Sequence, residues 1–366
     1  MKKHRENEKI LSGFAAVSLA LTAISLLLLD ISRASVSAAD FINSTVSFGY
    51  RRAMAALSDL FPFSLFELLI FLLPLIVAVV VILSIRTFKR GKGRARFVIN
   101  FISIILLFYA ANVIALSVSY NTTTVDKKMG FEITKVNAEN LAETMIALRD
   151  EVNSLAPKIS FNDEGISDPG YTMDEISSKI CDSYSKVSRE YGFVPDFHSR
   201  AKGVGPFSVV MSYLNITGIY TYFTGEANVN TCYPTYDMVF TTAHELSHQR
   251  GVLRENEANF MAYIVCSSSD DVYLRYSAAL NMYQYIASAL YRTDKDLYYS
   301  IVSGLDERAN RDILKSNEVY RKYGDTFIAD ISEFFNDLFL KSNGTDGVVT
   351  YGRVVTLAVS YFSSQK

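Results

Sequence analysis

Three long apolar runs before residue 120 dominate the pattern of hydrophobic and polar positions. They cover residues 10–29, 65–85 and 97–119, and each is close to the roughly 20 residues that an α-helix needs to cross a bilayer. The pattern therefore predicts three membrane spans. A cleaved signal peptide is the alternative for the first run, although that run is longer than a typical signal sequence. Near the start of the second run, Glu67 is expected to reach the lipid headgroups.

Basic residues indicate how these spans are oriented. The connector 86–96 carries six Lys or Arg residues and the segment 1–9 is also basic, whereas the longer connector 31–61 carries three. Because Lys and Arg are enriched in cytoplasmic loops, the N-terminus and residues 86–96 are predicted to be cytoplasmic. The chain then divides into a membrane anchor at 1–119 and a domain at 120–366 that lies outside the cytoplasm.

The pattern after residue 120 predicts an α+β domain in which helices dominate. Residues 137–155 have apolar positions at helical spacing. A second helix is predicted from Thr172, which has capping-box spacing with Glu175, to about Tyr191. Aromatic and aliphatic residues at helical spacing predict further packing helices at 271–291 and 317–340. The β-branched and aromatic stretch 206–226 is typical of a pair of strands.

Composition narrows the class of protein. The 366 residues are 49% hydrophobic and carry a formal net charge of -2, so the chain can build a large core and lacks the basic surplus typical of nucleic-acid binding. The three cysteines, Cys181, Cys232 and Cys266, permit at most one intramolecular disulfide, and buried free thiols are an equal alternative.

The stretch TTAHELSHQRGVLRENEANF, residues 241–260, contains two of the four histidines of the chain. On a helix His244 and His248 share one face, so both imidazoles can bind one ion. With Glu245 they form the pattern HExxH, in which two neutral imidazoles suit Zn²⁺ and the glutamate can take a proton from water. The stretch therefore predicts one zinc ion per chain.

A catalytic zinc usually has a third protein ligand, and a turn at Gly251 would return the chain to the metal. Glu255 and Glu257 are both available, and about 200° around a helix axis separates them, so only one can face the ion. Glu255 is favoured because its helix neighbours are small or polar. Glu257 remains an alternative, because its apolar neighbours would bury it and a buried carboxylate must be paired or bound to metal.

The stretch HELSHQRGVLRENEANFMAY, the upstream ITGIYTYFTGEANVN and the three spans together resemble an uncharacterised family of bacterial three-span membrane proteins with a gluzincin-like zinc peptidase domain. The resemblance implies a zincin-like fold, with an active-site helix under an edge strand and a third ligand on the following helix. In gluzincins an Asp or Asn follows the glutamate ligand four residues later, as Asn259 follows Glu255. The resemblance thus implies that Asn259 supports a histidine ligand. Arg254 stands where a metzincin would have its third ligand, which excludes that class.

The resemblance also places extended substrate beside the stretch YTYFTGEANVN. Glu226 and Asn228 would then contact substrate or orient the site, and the alternative is that they only form a turn. A second hydrogen-bond donor to the oxyanion is usual in such sites. The candidates for it are His198, Tyr263, Tyr273 and Tyr276.

These observations predict a membrane-anchored zinc metallopeptidase that hydrolyses peptide or protein substrates outside the cytoplasm, with Glu245 as general base and His244, His248 and Glu255 as ligands. Its partners would be the lipid bilayer and the substrate, with no nucleic acid. One alternative is a non-catalytic zinc-binding membrane sensor or scaffold with a zincin fold. A hydrolase of non-peptide bonds is another.

Overall fold

The protein is described by a computed structural model that covers residues 11–323, 326–347 and 353–365. The basic segment 1–9, which contributes to the predicted orientation, lies outside these residues. So do position 10 of the first predicted span and positions 324–325 of the helix predicted at 317–340.

The N-terminal part is helical. Its helices are α1 Gly13–Ala34, α2 Val36–Ile42, α3 Phe48–Ser58, α4 Leu65–Arg90 and α5 Arg94–Ala115. A short π-helix at Asn43–Ser47 joins α2 to α3, and a 3-10 turn at Ser117–Asn121 follows α5.

Helices α1, α4 and α5 are long and apolar enough to cross a membrane, which indicates a membrane protein. Ser12 donates a hydrogen bond to Asn100 and Thr22 donates one to the Leu106 carbonyl, so α1 and α5 are bonded to each other. By contrast, α4 has no buried residue. Its whole surface is available to lipid apart from its ends.

The rest of the described chain is mainly helical with one small sheet. The helices are α6 Val125–Met129, α7 Ala138–Leu155, α8 Met173–Tyr191, α9 Phe207–Tyr213, α10 Thr235–Gln249, α11 Glu255–Ser267, α12 Val272–Thr293, α13 Lys295–Val302, α14 Glu307–Tyr323, α15 Phe327–Ser342 and α16 Val354–Ser364. The strands are β1 Lys202–Val204, β2 Gly218–Thr221 and β3 Glu226–Asn230. Their order in the sheet is β1-β3-β2, with β1 parallel and β2 antiparallel to β3.

Several predicted elements are confirmed. Helix α7 covers the stretch predicted at 137–155, and α8 begins with the expected capping box between Thr172 and Glu175. It ends at Gly192, whose φ of 72° is the left-handed conformation that glycine adopts without strain. The helix predicted at 271–291 is α12.

Two predictions differ from the structure. The stretch 206–226 begins as helix α9 and only its second half is a strand, β2. Tertiary contacts explain the difference, because Glu67 accepts hydrogen bonds from the N–H groups of Gly205 and Phe207 and so fixes the start of α9. Residues 317–340 form parts of two helices, α14 and α15.

The main core lies where α10, α11 and α12 pack against α7, α8 and α16. Tyr184 of α8 is fully buried, and its hydroxyl donates to the Ala243 carbonyl and lies 2.6 Å from the Ser247 hydroxyl. Arg250, just after α10, stacks on Tyr184 and donates to the Phe197 carbonyl. These contacts fix the face of α10 that carries Ala243 and Ser247, and so fix the orientation of the whole helix.

Candidate metal centre

The two histidines of α10 and the first residue of α11 meet at one point. After α10 ends, Gly251 adopts a φ of 93° and the chain turns directly into α11, which begins at Glu255. A Cβ at Gly251 would lie 2.5 Å from Arg51, so the turn requires glycine for its backbone conformation and for its close packing. This turn returns Glu255 to the histidine face of α10.

The three side chains are arranged like ligands of one ion. His244 Nε2 lies 3.2 Å from Glu255 Oε2, and His248 Nε2 lies 3.6 Å from the same oxygen. The possible ligand atoms of the three residues all lie within 4.8 Å of one another. Two ligands of a tetrahedral zinc at ordinary bond lengths are about 3.3–3.5 Å apart, so this set fits Zn²⁺.

The hydrogen bond of His248 supports the same interpretation. Its Nδ1 lies 2.9 Å from the Val252 carbonyl oxygen, which can only accept, so Nδ1 carries a proton. In the neutral ring Nε2 then has a lone pair directed towards Glu255, and a cation between the two acceptors would satisfy both. A ring N–H bonded to a backbone carbonyl is the usual support of a metal-bound histidine.

Without a metal, these groups interact strongly as charges. Burial lowers the pKa of His248, but the adjacent Glu255 carboxylate outweighs burial and raises that pKa to about 9. Burial likewise raises the pKa of Glu255, whereas His248 and His244 together bring it well below its usual range. The pocket therefore holds a carboxylate beside imidazoles and favours a bound positive charge.

Glu245 lies beside these three residues on α10 and is buried. Burial raises the pKa of its carboxyl, which the histidines and the Tyr220 backbone N–H partly offset. Among the described residues, no group bonds to its buried Oε2. A buried acceptor without a partner costs free energy, so this oxygen is available to a water or a substrate.

The structure separates the two candidate third ligands. Glu257 accepts hydrogen bonds from Arg254 Nη1 at 3.0 Å and from the Val125 N–H at 3.3 Å. The Arg254 guanidinium thus compensates the buried charge of Glu257. Glu257 does not belong to the group formed by the histidines and Glu255. Asn259, predicted to support a histidine, lines the same cavity as the histidines. The hydrogen bond of the His248 ring goes to the Val252 carbonyl and not to Asn259.

Glu226 and Asn228, expected to contact substrate or orient the site, do not line that cavity, and their side chains lie at the start of α4. Glu226 accepts hydrogen bonds from the N–H groups of Leu65 and Phe66, the first two residues of α4, at 2.8 and 2.9 Å. Asn228 accepts a hydrogen bond from Ser64, the residue before that helix. Glu226 thus satisfies the free N–H groups at the start of the second predicted span, where the helix dipole also favours a carboxylate.

Helix α4, the second predicted span, also supplies an acceptor to the rest of the protein. Glu67 of α4 accepts hydrogen bonds from the N–H groups of Gly205 and Phe207 at the start of α9, so its carboxylate is paired within the protein. Together Glu67 and Glu226 form a reciprocal pair of helix-start contacts between α4 and the sheet region. The membrane segment and the candidate centre are therefore parts of one bonded structure.

The candidate centre opens into a cavity of about 840 Å³. Its walls come from the ends of α4 and α5, from β2 and the loops beside it, and from α10, α11, α12 and α15. The donors predicted from sequence do not line it: Tyr273 bonds to Ser167, Tyr276 bonds to Asp312, and His198 is exposed elsewhere. Tyr263 packs against Phe362.

Two other tyrosines, Tyr120 and Tyr285, line the cavity and interact electrostatically with Glu255. Burial raises the pKa of Tyr285 to about 12, and the Glu255 carboxylate adds to the shift. Burial raises the pKa of Tyr120 even further, again with a contribution from Glu255. Both phenols line the cavity and stay protonated near neutral pH, so both can donate a hydrogen bond. No local sequence pattern marks them, because they lie more than 25 residues from the HExxH helix.

The lining of the cavity is acidic. It includes Asp237, Glu245, Glu255 and Glu333, and in the described chain it includes no Lys or Arg. Burial raises the pKa of Asp237 to about 7. The three cysteines are free thiols and lie outside this cavity.

Comparison with known proteins gives a family for the chain. No curated protein and no solved structure matches it. The model of the family described as "Protein of unknown function (DUF3810)" matches residues 46–359. The match begins ahead of the second span and includes α10, α11 and the sheet, and it covers most of the 366 residues. The chain therefore belongs to the DUF3810 family.

Proposed function

We propose that the protein is a membrane-anchored zinc metallopeptidase of the gluzincin-like kind, and that its catalytic part faces away from the cytoplasm. The convergence of His244 Nε2, His248 Nε2 and Glu255 Oε2 beside the buried Glu245 carboxylate, whose Oε2 has no hydrogen-bond partner among the described residues, carries this proposal. Two imidazoles and one carboxylate leave a fourth position, as in hydrolytic zinc sites, whereas structural sites usually have four protein ligands.

The chain's own residues supply acid–base and positioning chemistry. Zn²⁺, when bound, supplies a Lewis acid and lowers the pKa of water to about 7. Glu245 accepts the proton of the attacking water and returns it to the leaving amine. Tyr120 or Tyr285 donates a hydrogen bond to the oxygen that becomes negative in the transition state.

The edge strand β2 supports a peptide as substrate. In the described residues its outer edge has no neighbouring strand, and the stretch from Thr217 to Phe223 lines the cavity. An extended peptide can add to such an edge through main-chain hydrogen bonds. A Cβ at Gly218 would lie 2.6 Å from Glu245 Oε1, so a peptide on this strand lies next to the general base.

The test uses the full-length protein in nanodiscs and a randomised peptide library analysed by mass spectrometry, with and without a chelator. We expect chelator-sensitive cleavage by the parent. Glu245→Gln keeps the shape of the side chain but removes the basic carboxylate, so cleavage falls by roughly 10²- to 10⁴-fold, about 3 to 5 kcal/mol, while zinc content and melting temperature stay near the parent values.

Two results would contradict the proposal. Unchanged cleavage by Glu245→Gln would exclude the assigned base. Tight zinc binding without chelator-sensitive cleavage of any peptide would favour the zinc-binding sensor or scaffold instead.

A further inference from the structure

Helix α15 carries an apolar face that no described part of the protein covers. The exposed fractions of its large side chains run from 41% for Ile331 to 77% for Phe327. At 100° per residue these positions fall within an arc of about 120°. The residues of this face are Phe327, Ile328, Ile331, Phe334, Phe335 and Leu338.

The opposite face of α15 lines the cavity of the candidate centre. Its lining positions fall in a separate arc of about 120°, so the two faces do not overlap. The lining residues are Ala329, Ser332, Glu333, Asn336 and Phe339. Helix α15 is therefore a wall, one helix thick, with the cavity on one side and the apolar face on the other.

Both ends of α15 are joined to elements that hold the ends of the predicted spans. At its start, the Thr326 hydroxyl donates to the Tyr213 carbonyl of α9 at 3.1 Å, and α9 begins on Glu67 of α4. At its end, Leu340 packs with Leu116 and Tyr120, which directly follow α5. The helix thus lies at the level of the start of α4 and the end of α5.

We propose that the apolar face of α15 lies in the boundary between lipid headgroups and acyl chains, beside the ends of α4 and α5. A helix with one apolar and one polar face is suited to this position. Its sequence has the acidic Asp330, Glu333 and Asp337 and the single basic Lys341. Binding therefore depends on apolar burial and does not require anionic lipid. Continuity with the spans favours the bilayer over a second copy or a soluble partner.

The absence of tryptophan from the sequence allows a direct test. Phe335→Trp and Ile331→Trp each place one reporter on the apolar face of α15 in the full-length protein. Phe71→Trp in α4 reports a lipid-exposed position of a span, and Tyr299→Trp reports an exposed position on α13. The four variants are placed in phosphatidylcholine nanodiscs, with ordinary or brominated acyl chains, and their fluorescence is recorded.

We expect both α15 reporters to emit at shorter wavelength than Tyr299→Trp and to be quenched by brominated lipid, as Phe71→Trp is. Long-wavelength emission without quenching in both would show that the face lies in water and would overturn the proposal. Short-wavelength emission without quenching would show that protein covers the face, which also overturns it. Neither metal nor substrate is needed, so this test is independent of the proposed function.

Discussion

Single residues decide which carboxylate of α11 belongs to the candidate centre. Glu255 and Glu257 are two positions apart on one helix and both are largely buried, yet one meets two histidines and the other meets Arg254. The difference follows from the helix period, which turns them to opposite sides. Contact with the histidines and pairing with Arg254 therefore belong to two different carboxylates of α11, and isosteric substitutions can distinguish their roles.

We expect Glu255→Gln, His244→Ala and His248→Ala each to weaken zinc binding by more than roughly 100-fold, beyond the 10- to 100-fold typical of outer partners. Glu257→Gln should keep zinc near one ion per chain, because its carboxylate pairs with Arg254. It should lower stability by about 1–3 kcal/mol, the cost of disturbing a buried hydrogen bond. Metal analysis of the purified full-length protein and thermal unfolding measure the two effects. Loss of zinc in Glu257→Gln and not in Glu255→Gln would reverse the assignment.

The sequence could predict that His244, His248 and Glu255 cluster, because each step is local. His244 and His248 are four residues apart on a helix, and the turn at Gly251 brings Glu255 back within a few residues. The cavity walls could not be predicted, because Tyr120 and Tyr285 come from distant parts of the chain. Glu226 is a buried polar residue near the motif, and only the structure shows that its partner is the start of α4.

Strand β2 packs closely against helix α10 at Gly218. A Cβ at Gly218 would lie 2.6 Å from Glu245 Oε1 and from Thr241 Cγ2, a distance that neighbouring atoms do not tolerate. The carboxylate is the end of a flexible side chain and would move first. The separation between this strand and this helix therefore sets the position of the candidate base.

Gly218→Ala should displace the Glu245 carboxylate and lower peptide cleavage by at least about tenfold, because small misplacements of a catalytic group are costly. Zinc content should stay unchanged, since the three ligands do not touch Gly218. The matched control is Gly49→Ala in α3, where an added Cβ meets nothing within 4 Å. Equal cleavage by the two variants would show that β2 does not position the base.

Arg51 of α3 joins two other helices at their C-terminal ends. Its guanidinium is fully buried and donates to the Gln249 carbonyl at the end of α10 and to the Ala115 carbonyl at the end of α5. It also donates to Asn43 and to the Ser119 hydroxyl. A cation at two helix C-termini satisfies free carbonyls and is favoured by both helix dipoles.

Arg51→Met keeps much of the side-chain volume but leaves these acceptors unpaired, so we expect a loss of about 3 to 5 kcal/mol of stability. The neighbouring Arg52 is exposed, and Arg52→Met serves as the control with little expected change. Apparent melting temperatures in the same detergent give the comparison. A melting temperature for Arg51→Met equal to that of the control would mean that this link contributes little.

Local sequence patterns are sufficient to predict some secondary-structure elements of this protein and not others. Helix α8 has its own capping box and terminal glycine, so its bounds follow from its own residues. The stretch 206–226 has strand-like residues throughout, but Glu67, about 140 positions earlier in the chain, fixes a helix at its beginning. β-Propensity depends on such context more than helix propensity does.

In the whole molecule, membrane segments and the remaining helices share their buried polar contacts. The predicted division at residue 120 separates Arg51 from the α10 carbonyl to which it donates, and it separates Leu65 and Phe66 from Glu226. The orientation across the bilayer remains a prediction from the basic residues. It can be measured without knowledge of activity.

Single cysteines introduced at residues 86–96 of a cysteine-free version should resist impermeant thiol reagents on intact cells, because the basic connector is predicted to be cytoplasmic. A single cysteine at position 345 should react, because the candidate centre is predicted on the other side. Labelling after cell lysis confirms that each thiol is reactive. The opposite pattern of labelling on intact cells would invert the topology.

The contacts of Glu226 also have a consequence for the order in which the protein is assembled. Its carboxylate is fully buried in β3, and its donors are the first N–H groups of α4. Because synthesis proceeds from the N-terminus, this span reaches the bilayer before β3 leaves the ribosome. In a copy whose second span does not enter the bilayer and fold as α4, the first N–H groups of that span are not placed at Glu226. Burying the Glu226 carboxylate without these partners is costly. We expect such a copy to fail in assembling the candidate metal centre as well, so that the centre forms only in copies whose second span has entered the bilayer.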